Sequence, residues 1–587
     1  MKESGTKNQP RNRKPERKCL PKLCGADIEL GNFLLGVETR RGTGYESSRL
    51  LLREIDGLPR VQKSRGEPCD CAACRRARSS SDAGDGASTR GSNGQVAVNP
   101  QDWGRKYLAS NGGCVYIDLD HLELCLPEVL SAYDHVACWH AMLRIARAAL
   151  HAANEKLPAR NKIQVLVNNS DGKGNSYGSH LDFLITRQAW ENIFRRKIHY
   201  MLYLAAFQAS SIVYTGQGKA GSENNAPDVS FQLSQRADFF EQLVGSQTTH
   251  NRPIVNSRDE PLCGSRRGRD DDDASQEMAR LHVIFFDNTL CHTASLLKVG
   301  VMQIVLSMIE AEQVNPELLL DDPVEAVVRW SHDPTLQAQA MMTSGEELTA
   351  VELQLRFLED AKGFVEHGGC DEIVPRANEI LALWEDTLLK LQAGDFEPLA
   401  PRLDWVLKLS ILQQVLDERP DLTWDSPEIK HLDLLYSSLD PSEGLYWAYE
   451  EGGFVERVVG NEQIERFTVS PPEDTRAWTR AMLLRWAGPD GVDDVDWDAI
   501  GFKTGYERYR TIYRKLELAN PLAFSKEACE RAFENATTLD ELLDALGAAE
   551  SNMQGESKRE GEARIELAPI GFSAPRKDKR EKGRTLR

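Results

Sequence analysis

Residues 111–128 read NGGCVYIDLDHLELCLPE. Val115 and Ile117 alternate with Tyr116 and Asp118, which is the period of a half-buried strand. Tyr116 and Asp118 then share one face, and Val115 and Ile117 the other. Asp120, His121 and Glu123 follow at once, and Pro127 closes the stretch. A carboxylate displayed on a strand beside a second acid and a phenol is what a divalent cation site with a general base needs. The same residues also describe an edge strand with a solvated polar face, so the flanking sequence decides.

Upstream, residues 20–35 predict another strand. Asp27 and Glu29 alternate with Ala26, Ile28 and Leu30, so both carboxylates lie on one face. Like charges side by side are costly unless something cationic sits between them. A metal ion answers that need, and two acids facing water is the alternative. Glu38 in GVETRRG is a rival acid. Residues 43–105 form an insertion that starts with an apolar-periodic piece at 50–58 and becomes rich in Arg, Ser, Asp and Gly over 75–94. Such a composition buries no core, so a mobile loop is expected. Within it, Cys69, Cys71 and Cys74 (CDCAAC) offer thiols for a zinc site that Cys19 or Cys24 would complete. The spacing is not a paired CxxC knuckle, and free thiols are the alternative.

Downstream, residues 133–156 carry apolar residues at helical spacing, and 163–167 read as a short buried strand. Then comes NNSDGKGNSYGSH at 168–180, whose glycines permit tight turns and whose N–H groups suit an anion. Its spacing is not that of the GxxxxGK[ST] phosphate loop. Strands are expected at 181–185, 211–217 and 280–287. The last of these puts His282 on a face with Ile284 and Phe286. Arg258, after an apolar strand, has the donor fork for a phosphate oxygen, or for a surface salt bridge to Asp259 or Glu260. Amphipathic helices follow at 293–314, 353–365, 377–391 and 403–416. Trp497 sits in DVDWDAIGF, where an indole stacks on a base or closes a small core. Strands first and helices later is an α+β order rather than a βαβ array.

The 587 residues allow more than one domain, or a large one with insertions. A net charge of −19 argues against nucleic acid and gives no sign of a membrane partner. No apolar run spans a bilayer, and the basic N-terminus lacks the apolar core of a signal peptide, so a cytoplasmic location is expected. Cys114, Cys125, Cys138 and Cys291 lie singly in apolar segments and are expected to be small buried hydrophobes. The expected organisation is a disordered basic arm (1–19), a catalytic domain (20–465), a small C-terminal domain (466–549) and a disordered charged tail (550–587).

The phrases GADIELG, NGGCVYID with HLELCLPEV, NNSDGKGNSYGSH, QLSQRADF, NSRDEP, RLHVIFFDN, PPEDTRAW and DVDWDAI occur in order over residues 25–502. Together they resemble the Pup deamidase/depupylase (Dop) and Pup ligase (PafA) family, related to glutamine synthetase and the carboxylate–amine ligases. DGKG at 171–174, LPEV at 126–129 and the long insertion are similar to the deamidase branch. The resemblance implies a curved antiparallel sheet packed with helices, a small C-terminal domain, and a cradle for ATP (or ADP plus phosphate) and Mg²⁺. Asp118 matches the catalytic aspartate. Tyr116 and Glu123 match metal ligands, Asp27 the first-strand metal-binding acid, and Glu29 the acid two residues on. Trp497 matches the tryptophan that packs on the nucleotide. Arg236, Arg258 and His282 fall in phrases lining the nucleotide and metal cradle.

The chain departs from the family at three places. Cys114 stands where the family has Arg, two residues before the tyrosine. His180, Leu181 and Asp182 replace HEN, which loses a carboxylate at Leu181 and makes Asp182 a substitute metal ligand. Cys291, His292 and Thr293 replace SET. The implied partner is a small Pup-like or ubiquitin-like modifier and its lysine conjugates, with a proteasome association as a further expectation. Hydrolysis of the modifier's C-terminal amide or isopeptide, with Asp118 attacking or activating water, is the favoured expectation. Ligation through an acyl phosphate, with Asp118 taking the lysine proton, fits the same residues. A non-catalytic nucleotide- or modifier-binding protein and a small-molecule carboxylate–amine ligase are the remaining alternatives.

Overall fold

In the computed structural model, which describes residues 19–37, 42–59, 105–260, 262–263, 278–368, 373–507, 510–547 and 549–551, one long strand organises the first half of the chain. Strand β1 (Cys24–Leu35) has buried Ala26, Ile28 and Leu30 alternating with partly exposed Asp27 and Glu29, as the period-2 pattern requires. Short β2 (Leu58–Pro59) and β3 (Lys106–Tyr107) lead to β4 (Cys114–Asp118) and β5 (His121–Cys125), a hairpin closed by the two residues Leu119 and Asp120. β6 (Lys162–Leu166) and β7 (Ser179–Thr186) follow. After the minor pairs β8 (Lys219–Ala220) with β9 (Phe231–Gln232) and β10 (Phe240–Gly245) with β11 (Arg252–Asn256), β12 (Met278–Val283) completes the sheet. The order is β12-β7-β1-β5-β4-β3-β2, with β6 also paired to β1. The pairings within this sheet are antiparallel.

β1 pairs β7 through residues 24–28 and β6 through residues 31–35. The glycine-rich connection from β6 to β7 therefore lies against the middle of β1. Gly31 is needed there, because a Cβ would come within 2.3 Å of Tyr177 Oη and 2.6 Å of Asn168 Oδ1. One face of the sheet packs on helices. Helix Ala132–Glu155 buries Val136, Trp139 and Leu143 there, and helix His292–Glu310, buried along its whole length, packs beside it. The expected late helices stand at His292–Glu310, Ala350–Glu366, Ala377–Ala393 and Asp404–Glu418. Cys114, Cys125, Cys138 and Cys291 are all buried.

Two expectations change. Residues 211–217 are not a strand: helix Ile198–Thr215 takes in 211–215 and is buried on all sides from Tyr203 to Thr215. A helix without a polar face shows no 3.6-residue period, and its Ile212–Val213 pair mimics a strand. The insertion at 43–105 is structured at its start, where helix Gly44–Arg53 buries Leu51 and Leu52 against β1, β4 and β5. The CDCAAC thiols, Glu38, residues 1–18 of the basic arm and residues 552–587 of the tail lie outside the described residues.

The opposite face of β3–β5 meets a second, smaller core. Tyr107, Cys114, Tyr116 and Cys125 pack there with Leu483, Leu484, Val495, Ile500, Phe502, Leu516, Leu542 and Leu543. The later residues come from helix Arg476–Gly491, a four-stranded sheet of β15 (Val492–Val495), β16 (Ala499–Glu507), β17 (Arg510–Glu517) and β18 (Ala549–Ser551), and helix Leu539–Ala545. β13 (Gln339–Met341) and β14 (Glu347–Thr349) form a separate hairpin.

Candidate active site

Strand registry decides which side chains meet. Glu29 on β1 is directly opposite Glu123 on β5, and Glu123 is opposite Tyr116 on β4. Asp118 is opposite His121, Asp27 opposite His180, and Asp182 opposite His282. One face thus gathers acids and imidazoles from five strands. They line a cavity of 890 Å³ that also holds Arg105, Arg258, Arg280, Arg476, Asp496 and Trp497 on its walls.

At its floor, Glu29, Asp118 and Glu123 bring carboxylate oxygens within 4.8 Å of one another. Tyr116 Oη donates to Glu123 Oε1. The Gly178 amide donates to Glu29 Oε2 at 2.8 Å, which fixes that carboxylate against the glycine-rich turn. Burial pushes the Glu123 carboxyl well above its usual range, and the charges of Asp27, Asp118 and Glu29 push it the same way. Glu29 is lowered even so. Burial, the largest influence on it, acts upward but is outweighed by His180, His121, the Gly178 amide and Arg236. Three hard oxygen donors at this spacing fit a divalent cation, whose charge would relieve the burial and mutual repulsion that raise Glu123.

Asp118 owes its position to the turn after it. Leu119 takes φ +50°, a left-handed conformation uncommon for a branched residue. The turn is tied down from β1 and the helix above it. Ser48 Oγ donates to the Asp120 carbonyl at 2.8 Å, and Asn32 accepts from the Leu122 amide at 3.0 Å. His121 rests on the Tyr177 ring, with centroids 4.1 Å apart.

The remaining expected residues divide. Asp27 is near the floor but is engaged by His180, whose amide donates to Oδ1 at 3.0 Å and whose Nδ1 is 3.1 Å from the same oxygen. His282 does not join the three carboxylates; its Nδ1 is 2.8 Å from Asp182 Oδ1. Asp182 also takes Arg280 at 3.2 Å and is held far below the ordinary carboxylate range. Arg280 and His282 outweigh the upward push of burial there. Arg258 lines the cavity, with Nε 3.9 Å from Glu260 Oε1, while Asp259 pairs with Arg187 instead. Trp497 is half-buried in the turn between β15 and β16 and reaches the cavity. Tyr107 meets it edge-on at 5.5 Å, and the Arg480 guanidinium lies 4.6 Å from its ring centroid.

Three expectations are corrected here. Arg236 does not face the cavity. It is fully buried behind the floor, donates to the Ile284 carbonyl at 2.7 Å, and lies so close to Gly178 that a Cβ there would meet Nη1 at 1.9 Å. The glycine-rich turn borders the cavity but spends several of its amides internally. Asp171 Oδ1 takes those of Lys173 (2.7 Å) and Asn175 (3.1 Å), and Gly178 serves Glu29. Leu181 removes no carboxylate from the site, because β7 sends residue 181 into the core with Phe183 and presents His180 and Asp182.

Sequence reasoning missed the group that joins the two halves of the cavity. Glu128 is buried, with Arg476 Nε 2.8 Å from Oε1 and Arg480 Nη2 2.5 Å from Oε2. Arg480 also donates to the Trp497 carbonyl at 3.2 Å and the Gly112 carbonyl at 2.8 Å. The two guanidiniums hold Glu128 down at about 2, against the upward push of burial. An acid inside the apolar run LPEVL was the available signal.

Comparison with known proteins matches residues 59–501 to the family model described as Pup-ligase protein. A depupylase of Acidothermus cellulolyticus is 36% identical over 397 residues, 67% of this chain and 75% of that protein. A Pup–protein ligase of Acidimicrobium ferrooxidans is 34% identical over 436 residues, 73% of this chain and 90% of that protein. Among solved structures, the Pup ligase PafA in complex with ADP aligns with a TM-score of 0.62 at 25% identity, covering 73% of this chain and 89% of that one.

Proposed function

The chain belongs to the Pup-ligase protein family, and from that premise we propose an ATP- and Mg²⁺-dependent enzyme that hydrolyses the amide or isopeptide at the C-terminal Gln or Glu of a small Pup-like protein. The observation that carries this reading is the shared cavity, with Glu29, Asp118 and Glu123 at one end and Trp497 at the other. A depupylase relative and the wording of DGKG and LPEV favour hydrolysis. A Pup–protein ligase relative of nearly equal identity keeps ligation as the second reading.

Glu29 and Glu123, with Tyr116 steadying Glu123, are the proposed Mg²⁺ ligands, and Asp27 with His180 borders them. Asp182 holds the neighbouring wall, hydrogen-bonded to His282 and ion-paired with Arg280. Trp497 offers its indole to the base, Arg258 offers its fork to a phosphate, and Arg236 supports the floor from behind by its charge. When bound, Mg²⁺ supplies neutralisation of phosphate charge. Asp118, on a turn that cannot shift without breaking the Ser48 and Asn32 bonds, attacks the scissile carbonyl carbon or takes a proton from water. In the ligase direction the same carboxylate takes the proton of an incoming lysine amine.

Two measurements test this. Mg²⁺ added to chelator-treated protein at about 100 times its dissociation constant stabilises the fold by about 2.7 kcal/mol. The combined Glu29→Gln and Glu123→Gln variant shows no such gain, and a parent protein whose melting temperature ignores Mg²⁺ excludes the metal site. Mass spectrometry of a Pup ending in Gln, incubated with protein, ATP and Mg²⁺, is expected to show the one-dalton gain of deamidation. Formation of a lysine conjugate from a Pup ending in Glu, without deamidation, assigns the ligase direction instead.

A further inference from the structure

The guanidinium expected at position 114 is missing from the sequence, yet the cavity contains one at that place. β3 pairs with β4 so that Lys106 is opposite Val115 and Tyr107 opposite Cys114. The residue before β3 therefore falls opposite Tyr116. It is Arg105, and its Cζ lies 3.6 Å from the Tyr116 ring centroid. Cys114 is fully buried and takes a hydrogen bond from Arg105. The cation has moved one strand sideways on the same face of the sheet.

Its surroundings say what it meets. Arg105 lines the cavity together with Tyr116, Asp118, Glu123, Asp496 and Trp497. Two residues along the same strand face, about 6.8 Å away, Tyr107 abuts the Trp497 ring. Indole, guanidinium and carboxylate floor thus follow one another along the cavity wall. A base on the indole places its phosphates beside the guanidinium before they reach the floor. A planar fork of donors stacked on a phenol is held in one orientation, which suits it to a phosphate oxygen.

We propose that Arg105 is a nucleotide-phosphate-binding residue, standing in for the arginine that Cys114 replaces; this rests on the reading of the cavity as a nucleotide site. Isothermal titration of the full chain with ATP plus Mg²⁺, and separately with adenosine, tests it. Arg105→Ala is expected to weaken ATP binding about 10- to 100-fold, the size of a lost charge-assisted contact, and to leave adenosine affinity within about twofold. Arg105→Lys, which keeps charge but loses the fork, falls between. Arg105→Ala combined with Cys114→Arg regains most of the ATP affinity. The proposal is overturned if Arg105→Ala binds ATP as the parent does, or loses ATP and adenosine alike, the mark of a packing role. A parent that binds neither ligand sinks the nucleotide reading and this proposal with it, whereas an unaffected variant of a binding parent sinks this proposal alone.

Discussion

Asp118→Asn is expected to lower turnover of a Pup substrate by about 10²- to 10⁴-fold, the usual loss when a positioned base or nucleophile is removed, and to leave ATP affinity nearly unchanged. The change keeps the shape and removes basicity. The turn stays in place because its anchors are the Asp120 carbonyl and the Leu122 amide, not the Asp118 side chain. Asp118 also contributes one oxygen to the acidic floor, so on the proposed reading its loss is expected to weaken Mg²⁺ slightly while Glu29 and Glu123 remain. Single-turnover assays at saturating Mg²⁺ separate the two effects. An Asn variant that turns over at the parent's rate removes Asp118 from the chemistry.

The second large effect is on stability. Glu128→Ala leaves Arg476 and Arg480 buried without their carboxylate, with side-chain exposures of 4% and 0%. Breaking a buried pair in this way costs about 3–5 kcal/mol. Urea unfolding is the measurement, and Glu128→Gln, which keeps some hydrogen bonds, falls between. The pH dependence has a definite sign. The folded carboxyl is depressed from 4.5 to about 2, so its contribution, on the order of 3 kcal/mol, is fully present above about pH 4.5 and is lost as pH falls through 2. Glu128→Gln flattens that part of the acid-unfolding curve. An acid profile identical in parent and variant removes the assignment. Because Arg480 also holds the Trp497 carbonyl, the Ala variant that remains folded is expected to bind ATP less tightly.

The residues of the acidic floor were legible because strands encode faces directly. Asp27, Glu29, Tyr116, Asp118 and Glu123 all occupy the parity that the alternation around them assigned. What the alternation cannot say is which strand lies beside which. The position of Arg105, just before β3, over the Tyr116 ring, and the engagement of Asp27 by His180, follow only from register. Parity explains the error at Leu181: counting from His180, residue 181 belongs to the core side, so a change there alters packing rather than ligands. Residues 211–217 misled for a different reason, since a wholly buried helix carries no amphipathic signature. Glu128 was hidden because its two partners lie about 350 positions away in sequence.

β1 also sets an order of events during synthesis. Asp27 and Glu29 leave the ribosome early, but Glu123 and His180 emerge only after about a hundred and a hundred and fifty further residues, some 5 to 30 seconds later at ordinary elongation rates. Until then the nascent chain exposes the apolar side of a twelve-residue strand with both edges open. Early ribosome-bound chains are therefore expected to need a chaperone over residues 24–35 and to bind no cation until β7 has emerged.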